Sequence, residues 1–213
     1  MKRMKMKWLV LALALVASAS CKKELMHLAT HFEKSKIASS PDHPGYQRFV
    51  IEKGQQYADN TEKYLVLVNT KELDFDVVFD SSAIYTTASP SNQDDINKLY
   101  RFADNNANDH HRFSARFGWA WNPGQNKLNL FGYIYNNGVE QNKLLGAVPL
   151  NTPAHCAIAV DGNKYVFVLN GQRTEMRRAS TTATGEGYKL FPFFGGTETA
   201  PHTIDIDIKE LPA

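Results

Sequence analysis

The chain has 213 residues, and its 24 Lys+Arg against 22 Asp+Glu give a formal net charge of +2. Four of those basic groups (Lys2, Arg3, Lys5 and Lys7) fall in the first seven residues, which leaves 20 basic against 22 acidic groups elsewhere, a balance that argues against the concentrated positive face nucleic-acid binding needs. A hydrophobic share of 43% excludes wholesale disorder, and an aromatic share of 11% suits a β-rich core or a stacking surface.

The first element along the chain reads as an address. A positive segment over 1–7 precedes an apolar run over 8–17, then Ser18, Ala19, Ser20 and Cys21. The apolar run is too short to span a bilayer, which takes about 20 residues, and matches a secretory h-region. The segment resembles the lipobox of bacterial lipoproteins, in which signal peptidase II cuts before a lipid-modified cysteine. Ser18 departs from the Leu usual at its position. The resemblance implies lipidation of Cys21, with the membrane as partner. Several acyl chains, at about 0.8 kcal/mol per buried CH₂, would anchor it firmly. Lys22, Lys23 and Glu24 follow, with no Asp at the second mature position, so the expected location is the outer membrane, on either its surface or its periplasmic face. Cys156 is then the one remaining thiol. It supplies neither an intramolecular disulfide nor a zinc cluster, and in Ala154-His155-Cys156-Ala157-Ile158 it reads as a buried small hydrophobe.

Residues 22–45 read as a tether, with a short helix over 24–34 as one option, closed by Ser39-Ser40-Pro41-Asp42-His43-Pro44-Gly45. One domain is expected over 46–213. Its dominant signal has period two. Leu73, Phe75, Val77 and Phe79 alternate with Asp74, Asp76, Val78 and Asp80. Phe113, Ala115, Phe117, Trp119 and Trp121 alternate with Ser114, Arg116, Gly118 and Ala120. Ile204, Ile206 and Ile208 alternate with Asp205, Asp207 and Lys209. Each pattern predicts a strand with one buried and one wet face. Turn residues at 122–126, 136–138, 161–163 and 170–171, rich in Asn-Gly and Asp-Gly, predict hairpins joining strands at 113–121, 127–135, 139–148, 154–160, 164–169 and 172–178 in an antiparallel meander. Further strands are expected at 46–53, 63–69 and 187–194. In the polar stretch 86–112, Ser91 and Asp94 offer a cap for a helix over 92–101, but the reading preferred is a strand over Ile96–Phe102 between two long loops, where binding sites tend to sit. Many short strands in one domain predict an all-β, two-sheet sandwich or jelly roll.

With the segment Gly187-Tyr188-Lys189-Leu190-Phe191-Pro192-Phe193-Phe194-Gly195-Gly196, these strands look like a concanavalin A-like (laminin G-like) β-sandwich. Asn97-Lys98-Leu99, Ser114-Ala115-Arg116-Phe117-Gly118-Trp119, and Phe194-Gly195-Gly196 through Ala200-Pro201-His202 resemble a group of uncharacterised bacterial lipoproteins. The resemblance implies fold and location. It does not choose among lectins, hydrolases and lyases.

Two constellations compete for the site. On strand 127–135 the set Leu128, Leu130, Ile134 is purely apolar and belongs to the core, so Asn129, Phe131, Tyr133 and Tyr135 belong to the other face, beside Arg116 on the neighbouring strand. Tyrosine rings stack on sugars while Asn and Arg bond hydroxyls, so these five residues are the candidate glycan-binding set. The alternative is enzymatic. Arg173-Thr174-Glu175-Met176-Arg177 resembles the Arg-Thr-Glu-x-Arg strand of alginate-lyase-type jelly rolls. Alternation puts Arg173, Glu175 and Arg177 on one face, where guanidinium groups grip carboxylates. Tyr188 and Lys189 keep part of a later lyase motif, and His110 and His111 supply a base. The rest of the lyase pattern is absent after Arg177, so the bland reading of that strand is a solvated charge ladder. Adjacent loop histidines ordinarily point apart, and no metal is expected from their spacing; no cofactor motif is found. The function expected is a non-catalytic protein that binds glycan or another envelope component. The second reading is a lyase on acidic polysaccharide.

Overall fold

The computed structural model describes residues 38–59, 61 and 65–212. The signal segment, Cys21 and most of the expected tether lie outside the described residues. The alternation resolves into β1 (Ala38–Ser39), β2 (Gln47–Ile51), β3 (Leu67–Thr70), β4 (Glu72–Phe79), β5 (Asn97–Ala103), β6 (Phe113–Asn122), β7 (Lys127–Asn136), β8 (Val139–Val148), β9 (Ala154–Asp161), β10 (Lys164–Leu169), β11 (Gln172–Arg177), β12 (Gly185–Leu190) and β13 (Ile204–Glu210). One sheet runs β1-β2-β13-β4-β9-β10-β11 and the other β3-β12-β5-β6-β7-β8. Every pairing is antiparallel. This is the all-β jelly-roll sandwich that the alternation predicted.

The hairpins form where the Asn and Gly signals fell. Asn137 and Gly138 take φ of 50° and 82°, and Asn170 and Gly171 take 49° and 83°, which only such residues adopt at little cost. The single meander expected from these turns is in fact two. β6-β7-β8 lies in the six-stranded sheet and β9-β10-β11 in the seven-stranded one. The chain changes sheet after β8, where Leu150-Asn151-Thr152-Pro153 replaces a tight turn.

The apolar sets of the two sheets meet in one core. Phe75, Val77, Phe117, Leu128, Leu130, Ile134, Phe167, Ile204 and Ile206 are fully buried there. Burial of such side chains contributes roughly 1.5–3 kcal/mol each. Cys156 is also fully buried, and burial pushes its thiol well above the ordinary range, so it is an inert core residue.

Two expectations need correction. The domain does not begin at residue 46. β1 pairs with β2, Ser40 Oγ donates to Asp207 Oδ2 at 2.6 Å, and His43 Nδ1 lies 2.7 Å from the same oxygen. Pro41, Pro44 and Gly45 mark a turn within the fold. Second, β6 has no wet face: Ser114, Arg116 and Ala120 are buried, and a Cβ on Gly118 would meet Ile96 Cγ2 at 2.3 Å. Ile96 packs over the outer face of β6 at Gly118, so that strand is covered there on both sides.

One buried ion pair joins the two sheets. Asp104, just after β5, accepts from Arg178 Nε at 2.8 Å and Nη2 at 3.0 Å, from Tyr165 Oη at 2.5 Å, and from the Asn105 N–H at 2.7 Å. Tyr165 sits on β10 and Arg178 follows β11, so the carboxylate ties the end of one sheet to the other. Burial would raise the Asp104 pKa. The hydrogen bonds from Arg178 and Tyr165 outweigh it and hold the carboxyl below its ordinary range. Removing the charge leaves Arg178 buried and uncompensated. Asp104→Ala is expected to cost about 3–5 kcal/mol in urea unfolding at neutral pH. Because the folded pKa is depressed, the wild-type contribution is complete above the unfolded pKa near about 4 and falls away as pH drops through the folded value. Unfolding midpoints at neutral and acidic pH should therefore converge between wild type and Asp104→Ala on acidification.

Candidate functional site

The outer face of the six-stranded sheet carries an open cavity of about 510 Å³. Its floor is set by register. Arg116 of β6 lies opposite Tyr133 of β7, and Tyr135 lies opposite Ser114. Across the Asn137-Gly138 turn, Glu140 of β8 faces Tyr135 and Asn142 faces Tyr133. The walls are loops: Asp94, Asp95 and Ile96 before β5, His110 and His111 before β6, and Phe193, Gly195 and Gly196 after β12, with Tyr57 edge-on to Phe193 at 4.9 Å. Gly195 takes φ of 72°, and a Cβ there would meet Glu198 O at 2.4 Å, so this wall requires glycine.

Arg116 is the unusual group. It is 2% exposed, and its guanidinium carbon lies 4.3 Å from the Tyr133 ring centroid and 5.3 Å from that of Tyr135. Its Nε has no hydrogen-bond partner among the described residues, and neither has the buried Ser114 Oγ beside it. Burial lowers the pKa of Arg116, opposed by Tyr133, Tyr135 and Glu140, but a guanidinium stays charged. The two ring faces supply cation–π attraction in place of a carboxylate. Tyr133 donates to Glu140 Oε2, and Tyr135 Oη lies 3.5 Å from the same atom. Burial, then the Glu140 hydrogen bond, drive the Tyr133 pKa upward, so it stays a neutral donor. Lys98 Nζ lies 5.2 Å from the Tyr133 centroid and donates to Gly195 O at 3.1 Å.

Of the candidate glycan set, Arg116, Tyr133 and Tyr135 meet in this cavity. Tyr133 is 4% exposed, covered from outside rather than packed between the sheets. Asn129 and Phe131 share the outer face but sit farther along β7, opposite Ala120 and Gly118, beyond the cavity lining. Of the enzymatic set, His110 and His111 line the cavity, their ring centroids 4.2 Å apart at 35°, contrary to the expectation that they point apart. Tyr188 lies behind His110, its Oη 3.3 Å from Nδ1. Lys189 reaches away to Glu210 Oε1 at 2.5 Å, on β13 of the other sheet. Arg173, Glu175 and Arg177 are exposed on β11, the edge of the seven-stranded sheet, with Glu175 2.5 Å from Lys164. They do not converge with the histidines.

Lys98, Glu140, Asn142, Tyr57 and Phe193 were not singled out from sequence. Glu140 and Asn142 were within reach: counting back from the two-residue turn pairs them with Tyr135 and Tyr133. A β-bulge between Lys98 and Arg101 hides the phase of Lys98.

No protein-family model matches the chain, and no curated protein matches it in sequence. Solved structures of similar fold include the alginate lyase AlyC3 (TM-score 0.54, 13% identity, 78% of this chain and 74% of that one). The laminarinase catalytic domain from Thermotoga maritima is similar at TM-score 0.50 and 8% identity, covering 80% of each chain. A Bacteroides ovatus mixed-linkage glucan GH16 protein is similar at TM-score 0.50 and 8% identity, over 84% of this chain and 86% of that one. At these identities the likeness is one of fold, the two-sheet antiparallel jelly-roll sandwich.

A buried guanidinium with an unpartnered Nε is a cost to folding. Arg116→Met fills similar volume without that cost. It is expected to raise the urea midpoint, by an amount equivalent to about 1 kcal/mol, or leave it unchanged. A loss of several kcal/mol would show that Arg116 serves the fold.

Proposed function

We propose that this cavity binds a glycan chain without cleaving it, on a protein tethered to the outer membrane by lipid on Cys21. The observation that carries the reading is the Tyr133–Arg116–Tyr135 stack at the base of an open cavity, with Asn142 and Glu140 beside it. Ring faces and a planar cation suit the apolar faces and hydroxyls of sugars. The neighbours named for alginate and glucan chemistry share this fold, which supports a sugar ligand. Glu140 is engaged by Tyr133, which favours holding over acid–base work. On a polysaccharide-retention gel, the chain from Lys22 onward should be slowed by its ligand. Tyr135→Ala should weaken retention about tenfold, or ~1.4 kcal/mol, with little change in melting temperature. Retention unaffected by the change would remove the cavity from the account.

A second reading has one observation in its favour. Arg116, His111 and Tyr135 line one open cavity, as elimination on an acidic polysaccharide requires. A time-dependent rise in ultraviolet absorbance from unsaturated product, lost in His111→Ala, would establish it over binding alone.

The anchor is tested separately. Cells fed a palmitate analogue should label the wild-type protein and leave Cys21→Ser unlabelled. Label on the variant would sink the lipoprotein reading.

A further inference from the structure

The loop over 104–112 does more than wall the cavity. Asn105 and Asn106 take φ of 57° and 51°, and the buried Asp104–Arg178 pair fixes the start of the loop. At its far end a turn closes on Asp109: the Arg112 N–H donates to Asp109 O at 3.0 Å, and the His111 N–H to Asp109 Oδ1 at 2.9 Å. Three consecutive side chains that would splay in an extended strand are thereby gathered. Asp109, His110 and His111 each offer a ligand atom within 4.8 Å of the others. His111 Nδ1 and Asp109 Oδ1 are already 3.1 Å apart, about the separation two ligands take around one ion with bonds of about 2.0–2.2 Å.

We propose that Asp109, His110 and His111 form a binding site for a divalent transition-metal ion of the zinc class, set at the rim of the cavity. Two imidazoles and one carboxylate suit such an ion; calcium and magnesium take oxygen shells. Neighbours orient the rings. Tyr188 Oη lies 3.3 Å from His110 Nδ1 and donates to Asn108 O at 3.3 Å, which holds the His110 ring against the loop. His111 stands edge-on to Tyr135 at 5.2 Å. Metal entry replaces the His111–Asp109 hydrogen bond with two bonds to the ion. Asp109 and His111 are about 58% and 59% exposed at the side chain, so both are free to rotate and close the separations of up to 4.8 Å to those of one coordination shell. Arg116, across the Tyr135 ring, opposes a dication, and Glu140 offsets it. His110 and His111 both line the cavity, so the open coordination positions face it, where water or a ligand oxygen completes the shell.

The test is titration of the full chain with zinc chloride, and with cobalt chloride read by its visible bands, in buffer free of any glycan. The expected result is one ion per chain with micromolar affinity, weakened about ten- to a hundredfold by Asp109→Asn and by His111→Gln. Both positions are exposed, so the melting temperature without metal should not move; the zinc-dependent rise in melting temperature should disappear in the variants. Absence of binding up to millimolar zinc would overturn the proposal. So would binding that survives both variants, which would put the ion elsewhere. Because no sugar is present, either failure leaves the glycan reading standing on its own test.

Discussion

A β-strand presents two faces, and a two-sheet sandwich can hide only the inward one between its layers. In β6 and β7 the inward face is filled by Phe117, Trp119, Leu128, Leu130 and Ile134, all fully buried. Gly132 keeps that side tight: a Cβ there would meet Met176 Sδ at 2.9 Å and Phe167 at 3.2 Å. No polar side chain of β6 has room inward. Arg116, Tyr133 and Tyr135 are therefore displayed outward by the same alternation that builds the core, and three loops close over them.

What those loops cover is a buried charge that no carboxylate bonds directly among the described residues. Arg116 is nearly as buried as the core, yet its Nε has no partner among the described residues and its charge rests on two aromatic faces. The contrast is Arg178, equally buried, whose guanidinium is bonded by Asp104, Ser180, Thr182 and Thr184. Arg178 is bonded by carboxylate, hydroxyl and carbonyl groups of the fold, whereas Arg116 keeps one buried N–H, at Nε, without a partner among the described residues. Sites that carry function commonly hold such unmet groups, at some expense in stability.

Much of this was legible in the sequence, because period two and Asn-Gly turns are local signals. They placed β4, β6, β7, β8, β10 and β13, separated the two side-chain sets of β7, and brought Arg116 next to Tyr133. What was not legible depended on contacts distant in sequence. Asp104 finds Arg178 across 74 residues, and nothing local marks either. The Arg173–Arg177 ladder looked sharper as a motif than Arg116 did, but which sheet a strand joins is decided by the crossover after β8. The histidines were read as splayed because the turn closed by Asp109 was not recognised. The early boundary at residue 46 failed for a similar reason: Pro41 and Gly45 mark a turn whether or not the chain before them is packed, and Asp207, which packs it, lies at the other end of the domain.

The central claim is that Arg116, with its unpartnered Nε, is where the ligand binds. The most direct measurement is the ¹⁵Nε–Hε resonance of Arg116 during titration with a retained polysaccharide, with the Arg178 resonance as the internal reference. The account predicts that the Arg116 signal moves and saturates while that of Arg178 stays fixed. A titration that leaves Arg116 unmoved and shifts Arg173 or Arg177 on β11 instead would contradict it.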